Sequence, residues 1–292
     1  MKSNEKNKIL LVDGNYLMFQ SFYGTYSPNG YIMSSTKGVP TNGTHMFFMI
    51  LFNLINSLNP THIFIAFDAP GKTKRHDIYP EYKDGRSKAP EEIFIQFNHV
   101  KQILSELNIQ HNELVGYEAD DLVGTLSKNL SGRKMIYSRD KDLLQLVSKD
   151  TTVIFKDNKI KDYAIITDDN FKEIYEIQPF QIPDFKGLAG DSSDNLHGIR
   201  GIGEKTAIKL INKYGSLENI LQNLNNLSPS ISLKIKNDIE SGIMCKKLAI
   251  INTQVQEISK NDDDYKFKLD KSGTKTLKEL ELNQILNIIE MS

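Results

Sequence analysis

Apolar residues fall along this chain in short unbroken runs and in longer striped ones, and the two kinds alternate. Ile9-Leu10-Leu11-Val12 is a continuous run stopped by Asp13 and Gly14, the pattern of a strand buried on both faces that breaks into a turn. A polar, glycine-containing stretch follows, then a helix-length apolar pattern over 44 to 58, then a second buried run over 63 to 67 closed by Asp68. Residues 91 to 107 carry a helical stripe with Ile93, Phe97, Val100 and Leu104 on one face, and 122 to 130 continue an acidic cluster as a helix. Met135-Ile136-Tyr137 is a third strand, 152 to 155 is strand-like, and a helix is predicted near 169 to 175. Strands alternating with helices predict an α/β core built on a parallel sheet, with helices on both faces. In such a sheet the C-terminal ends of the strands share one edge.

That edge collects acids. Asp13, Asp68, Glu118-Ala119-Asp120-Asp121 and Asp140-Lys141-Asp142 are far apart in sequence, yet each follows a strand or opens the helix beside one. An acid at a strand end is most often a turn residue, and Asp and Glu favour helix N-termini. Repeated four times at one edge, the coincidence points to a site. Carboxylates crowded this way repel one another and hold protons unless cations neutralise them. Oxygen donors without clustered His or Cys favour Mg²⁺ or Mn²⁺ over zinc, and a pair of such ions about 4 Å apart suits phosphoryl chemistry with water as nucleophile.

Charge adds the partner. The 292 residues have a formal net charge of -1, so affinity for phosphate has to come from local patches. Directly after Asp68, Lys72, Lys74, Arg75, Lys83, Arg86 and Lys88 face only Asp77, Glu81 and Asp84, with Tyr79 and Tyr82 among them. A basic segment hanging over the acids can hold a phosphate there while Tyr82 stacks on a base. It has few apolar anchors and is expected to be mobile without DNA. Past a boundary near 180, Gly198, Gly201 and Gly203 precede Lys205-Thr206-Ala207 and a helix to about 214, exposing backbone N–H groups suited to phosphate. From Arg200 to Lys247 there are eight Lys and Arg against four acids, which favours a nucleic-acid backbone over a small nucleotide. Residues 217 to 224 and 231 to 251 are striped helices, and a short helix over 277 to 289 ends the chain. The lone Cys245 reads as core and fits a reducing cytoplasm. The polar N-terminus and the lack of a membrane-length apolar run predict a soluble, cytoplasmic protein.

These motifs carry a resemblance. Leu11-Val12-Asp13-Gly14, Phe67-Asp68-Ala69, Tyr82-Lys83-Asp84-Gly85-Arg86, Gly116-Tyr117-Glu118-Ala119-Asp120-Asp121, Arg139-Asp140-Lys141-Asp142, Gly190-Asp191-Ser192-Ser193-Asp194-Asn195 and Gly201-Ile202-Gly203-Glu204-Lys205-Thr206-Ala207 resemble, in order and spacing, the 5'-nuclease domain of bacterial DNA polymerase I in a free-standing form. The resemblance implies a PIN-like nuclease core with a helix-hairpin-helix DNA-binding region. It implies a two-metal 5'-3' exonuclease and flap endonuclease acting on DNA 5' ends, flaps and RNA primers, as a monomer beside a separate polymerase. By the same resemblance Asp13, Asp68, Glu118 and Asp120 hold one ion, while Asp140, Asp142, Asp191 and Asp194 serve the second. Asp120 reaches both, and Asp121 is a ligand or stands just behind one. Lys83 and Arg86 contact the scissile phosphate, with Arg75 and Tyr82 beside them. Gly201, Gly203, Lys205 and Thr206 grip duplex backbone and hold K⁺. Only the resemblance gives Asp191 and Asp194 a role.

The expected division is a nuclease core over 1 to 180 with a basic arch at 71 to 90, a DNA-binding region over 181 to 260, and a tail over 261 to 292. The chain departs from the family at Gln20, where an arginine is usual, and at His45-Met46 and His197. A non-catalytic branched-DNA binder is the alternative, which the full set of second-metal carboxylates disfavours. A small-molecule phosphatase would want an acid where Asn15 stands.

Overall fold

The run 9 to 12 forms the middle of the sheet. In the computed structural model, which describes residues 7–27, 32–157 and 162–291, six strands are ordered β3-β2-β1-β4-β5-β6. They are β1 (Lys8–Asp13), β2 (His62–Ala66), β3 (His111–Asn112), β4 (Arg133–Tyr137), β5 (Thr151–Asp157) and β6 (Asp162–Ile166). The first five run parallel and β6 turns back antiparallel on β5. The polar head at residues 1 to 6 lies outside the described residues.

Strand alternation sorts the core into two faces. Ile9 and Leu11 point, with Ile136, toward α5 (Ala119–Asn129) and the helices that follow β6, whereas Leu10 and Val12 point toward the helices before β4. The latter are α1 (Gly14–Tyr23), α2 (Asn42–Leu58) and α4 (Glu91–Glu106), with the short α3 (Lys74–Ile78) lying in the basic segment. Each large apolar side chain buried this way contributes about 1.5 to 3 kcal/mol.

Beyond β6 come α6 (Asp168–Tyr175), α7 (Ile182–Ala189), α8 (Glu204–Tyr214), α9 (Leu217–Gln222), α10 (Pro229–Asn237) and α11 (Ile239–Ala249). The chain then returns to α5, where Asn252 N–H donates to Asp121 and Val255 N–H to Thr125 Oγ1. It ends in α12 (Lys275–Glu279) and α13 (Asn283–Met291), whose Leu277, Ile285 and Ile289 join the core under α2 and α4. None of the described helices is long and apolar enough to cross a membrane.

The polar stretch after Asp13 is a helix, not a loop. Asp13 caps α1 by accepting from Tyr16 N–H at 2.9 Å, and the helix begins with no linker. Gly14 permits the abrupt turn, since a Cβ there would lie 2.5 Å from the Phe67 ring. Cys245 is buried and accepts from Gly198 N–H, as a core residue should.

Candidate metal centre and nucleic-acid interface

Each acid reaches the sheet edge on a different element and is aimed by its own neighbours. Asp13 ends β1; one oxygen caps α1 and the other accepts from Ser138 Oγ at 2.8 Å. Asp68, just past β2, accepts from Asn15 Nδ2 at 2.9 Å and from Ala119 N–H at 2.7 Å. Asn15 therefore ties the first acidic strand end to the second. Glu118 and Asp120 open α5. Asp140 and Asp142 follow β4, locked to each other by Asp142 N–H donating to Asp140 at 2.8 Å. Asp191 and Asp194 lie on the turn after α7, where Asp191 accepts from the N–H and Oγ of Ser193.

The oxygens converge in two groups. Asp120, Asp140 and Asp142 can place one oxygen each within 4.8 Å of one another, and so can Asp142, Asp191 and Asp194. Asp142 is common to both; the resemblance had given the shared position to Asp120. Asp13, Asp68 and Glu118 line the same cleft of about 440 Å³ as Asp120 and Asp140.

Electrostatics show what this crowding does. Burial, with the neighbouring charges of Asp140 and Asp68, pushes Asp13 up to about 7. Asp120 lies well above the ordinary carboxylate range for the same first reason, with Asp140, Asp13 and Asp142 adding repulsion. Burial also raises Asp142 to about 7, although Lys186 opposes it. Among the described residues no donor hydrogen-bonds the Asp120 carboxylate, so it is an acceptor at the centre of the cluster without a partner. Oxygen-only donors in two tight groups suit divalent metal ions.

Besides Arg75, 3.4 Å from Glu118, three cations already sit against these acids. Lys83 Nζ is 2.9 Å from Glu118, and Arg86 is 2.6 Å from Asp194. Lys186, on α7, bridges Asp142 and Asp191, at 2.5 Å from the latter. Burial alone would raise Asp191, but Lys186 and Ser193 outweigh it and hold the carboxyl below its ordinary value. Nothing in the sequence singled out Lys186, a lone lysine one turn from a helix end.

The basic segment corrects two expectations. It folds onto the acids, and Tyr82 is 2 % exposed. Buried, Tyr82 presents no face to a base, and its hydroxyl lies between two acceptors, Asp194 at 3.1 Å and Glu118 at 3.3 Å. Arg75 does not reach outward either. Its guanidinium makes two 2.9 Å bonds to Asp121 and donates to the Leu248 carbonyl. Asp121 in turn also accepts from the N–H groups of Glu118 and Asn252. With both oxygens occupied it fixes the start of α5 and is turned away from the two metal-suited groups. The anchor missed in the sequence is one aromatic ring among ion pairs, where an apolar run was sought.

At the hairpin, Gly201 has φ +79°, which favours glycine, and its carbonyl accepts from Lys234 Nζ. Gly203 caps α8 at an ordinary φ, and a Cβ there would meet nothing within 4 Å. Lys205 is exposed and Thr206 half-buried in the first turn of α8. The departures are accommodated: the Gln20 side chain accepts from Tyr137 OH at 2.8 Å, His45 meets Gln284 on α13, and His197 stands exposed beside a cavity of about 510 Å³.

Known proteins resemble this chain in sequence and in fold. Residues 8–176 match the model of the 5'-3' exonuclease N-terminal resolvase-like domain, and 177–272 match the 5'-3' exonuclease C-terminal SAM fold. The 5'-3' exonuclease of Aquifex aeolicus is 38% identical over 97% of this chain and 95% of its own. DNA polymerase I of Bacillus subtilis is 40% identical over 85% of this chain, which spans 28% of that longer protein. The bacteriophage T5 flap endonuclease, solved as a pseudo-enzyme-product complex with DNA and metal ions, shares the fold with a TM-score of 0.71. That match covers 97% of this chain and 99% of the other at 16% identity.

Proposed function

The chain belongs to the 5'-3' exonuclease family, and from that premise we propose that it is a divalent-metal-dependent 5'-3' exonuclease and flap endonuclease. Its substrates are DNA 5' ends, displaced 5' flaps and RNA primers, in replication and repair in the cytoplasm, as a monomer beside a separate polymerase. The observation that carries this reading is the convergence of acids: Asp120, Asp140, Asp142, Asp191 and Asp194 form two groups that share Asp142, and Asp13, Asp68 and Glu118 line one cleft with Asp120 and Asp140.

We assign Asp13, Asp68, Glu118, Asp120, Asp140, Asp142, Asp191 and Asp194 to hold two Mg²⁺ or Mn²⁺ ions, with Asp121 behind them. When bound, such ions supply an activated water and neutralise charge on the phosphoryl oxygens. The chain's own residues do the rest. Asn15 and Ser138 fix Asp68 and Asp13 in place, so the ligand oxygens are preorganised before substrate arrives. Lys83 and Arg86 stand at the cleft as counterions of Glu118 and Asp194, and are placed to exchange those carboxylates for the scissile phosphate. The amides and hydroxyl around Gly201, Gly203, Lys205 and Thr206 track the duplex backbone, with K⁺ the expected cation there. The nuclease core is assigned to 1 to 180, DNA binding to 181 to 260 and the tail to 261 to 292.

The test is cleavage of an end-labelled 5'-flap duplex with Mg²⁺ and with EDTA, for the wild type, Asp120→Ala and Lys83→Ala. Cutting near the branch that EDTA and both substitutions suppress is expected. Tight flap binding without cutting in either Mg²⁺ or Mn²⁺ would replace the enzyme with a branched-DNA-binding protein.

A further inference from the structure

Arg139 lines the acid cleft together with Asp13, Asp120, Asp140, Lys83 and Arg86. It lies two residues past the end of β4 and is exposed. The other two cations of the cleft are committed, Lys83 to Glu118 and Arg86 to Asp194. Among the described residues Arg139 makes no ion pair. Its guanidinium carbon lies 5.8 Å from the centre of the Phe155 ring, a cation–π contact that supports the group and leaves its hydrogen-bonding fork unspent. Its charge is also felt at the Tyr16 hydroxyl, where it opposes the upward push of burial.

An arginine that shares a cleft with Asp13, Asp68, Glu118, Asp120 and Asp140 and pairs with none of them keeps its charge for a group the protein does not supply. The neighbouring wall offers no other cation: Asn15, Tyr16 and Phe19 are uncharged, and the Gln20 oxygen is taken by Tyr137. A planar fork at the mouth of an acid cleft matches a phosphodiester, which it can hold by two parallel bonds. We propose that Arg139 is a phosphate-binding residue for the substrate strand, clamping a backbone phosphate at the α1 wall of the cleft. The proposal rests on the nuclease reading for the identity of the strand.

The experiment is equilibrium binding of a 5'-flap duplex in Ca²⁺ across a salt series, for the wild type, Arg139→Gln and Arg139→Lys, with Mn²⁺ binding and thermal unfolding measured beside it. Loss of one phosphate contact is expected to weaken Arg139→Gln about tenfold and to lower its slope of log K against log salt by about one. Arg139→Lys keeps the slope and loses part of the affinity, and Mn²⁺ binding and melting are unchanged in both. Affinity and slope equal to wild type in Arg139→Gln would overturn the proposal, as would a loss explained by weaker Mn²⁺ binding. If the wild type cuts flaps while Arg139→Gln binds normally, this inference fails alone. If the wild type binds but never cuts and the slope still falls, the nuclease reading fails and the phosphate contact stands.

Discussion

The two basic segments of the chain look alike in sequence and differ in what their charges do. In the segment between β2 and α4, Arg75 and Lys83 have side chains only 12 and 21 % exposed, and Arg75, Lys83 and Arg86 are all paired with carboxylates of the acid edge. On the hairpin helix α8, Lys205, Lys209 and Lys213 stand exposed, and none of them forms an ion pair among the described residues. The difference is one of neighbours. The first segment crosses a concentrated negative field and three of its cations, Arg75, Lys83 and Arg86, become counterions there; the three lysines of α8 form no such pairs and keep their charge for a partner. The paired residues of the first segment should therefore bear on stability and on the site itself, and those of α8 on the affinity for nucleic acid.

The largest effect that separates them is on stability. Removing Arg75 leaves the buried Asp121 without a counterion, while Glu118 keeps Lys83, so Arg75→Ala is expected to cost about 3 to 5 kcal/mol in urea unfolding. Lys205→Ala should change stability by no more than about 0.5 kcal/mol. Equal effects would dissolve the comparison.

Lys186 belongs with the committed cations although it lies outside both segments. Without metal, Lys186→Met leaves Asp142 and Asp191 facing each other and should lower the melting temperature by several degrees. Mn²⁺ should bind this variant more tightly than wild type, because a competing charge is gone. Weaker binding would mean that Lys186 organises the carboxylates more than it competes for them.

A pH dependence follows from the raised acids. Asp13 and Asp142 titrate near 7 when folded and near 3.8 when unfolded, so the metal-free native state holds more protons between those values. Its stability is fully expressed below about pH 4 as far as these groups are concerned, and declines as pH rises through 7. Metal binding releases those protons, and the rise in melting temperature on adding Mg²⁺ should be larger at pH 8 than at pH 6. An equal rise at both would remove the acids from the account.

The smallest effect is on DNA. Lys205→Ala should lower flap affinity by less than tenfold and the salt slope by about one, with metal binding untouched. A variant that binds DNA normally would leave the exposed hairpin charge without a partner.

Much of this was legible before any coordinates. The short unbroken apolar runs at 9 to 12, 63 to 67 and 135 to 137, each stopped by polar or acidic residues, are strands of a sheet covered on both faces, and that placed Asp13, Asp68, Asp140 and Asp142 at one edge. Helix α1 was hidden because Asn15, Tyr16, Gln20 and Ser21 interrupt its apolar stripe and because its cap is Asp13, already read as a ligand. The strands β3 and β6 are too short or too polar to show periodicity, with exposed Ile165 on β6 reversing the usual pattern. Asp191 and Asp194 sit on a turn after a helix, where strand geometry says nothing. The direction of Arg75, Tyr82 and Asp121 depended on the path of the segment that carries them, which local pattern does not encode.

The central claim is that the acid edge is a two-ion site. Its most direct measurement is calorimetric titration of the protein with Mn²⁺ at pH 8, backed by anomalous diffraction from Mn²⁺-soaked crystals. Two ions are expected, one among Asp120, Asp140 and Asp142 and one among Asp142, Asp191 and Asp194, both weakened by Asp142→Asn. Saturation without any ion in that cleft, or two ions that survive Asp142→Asn unchanged, would contradict it.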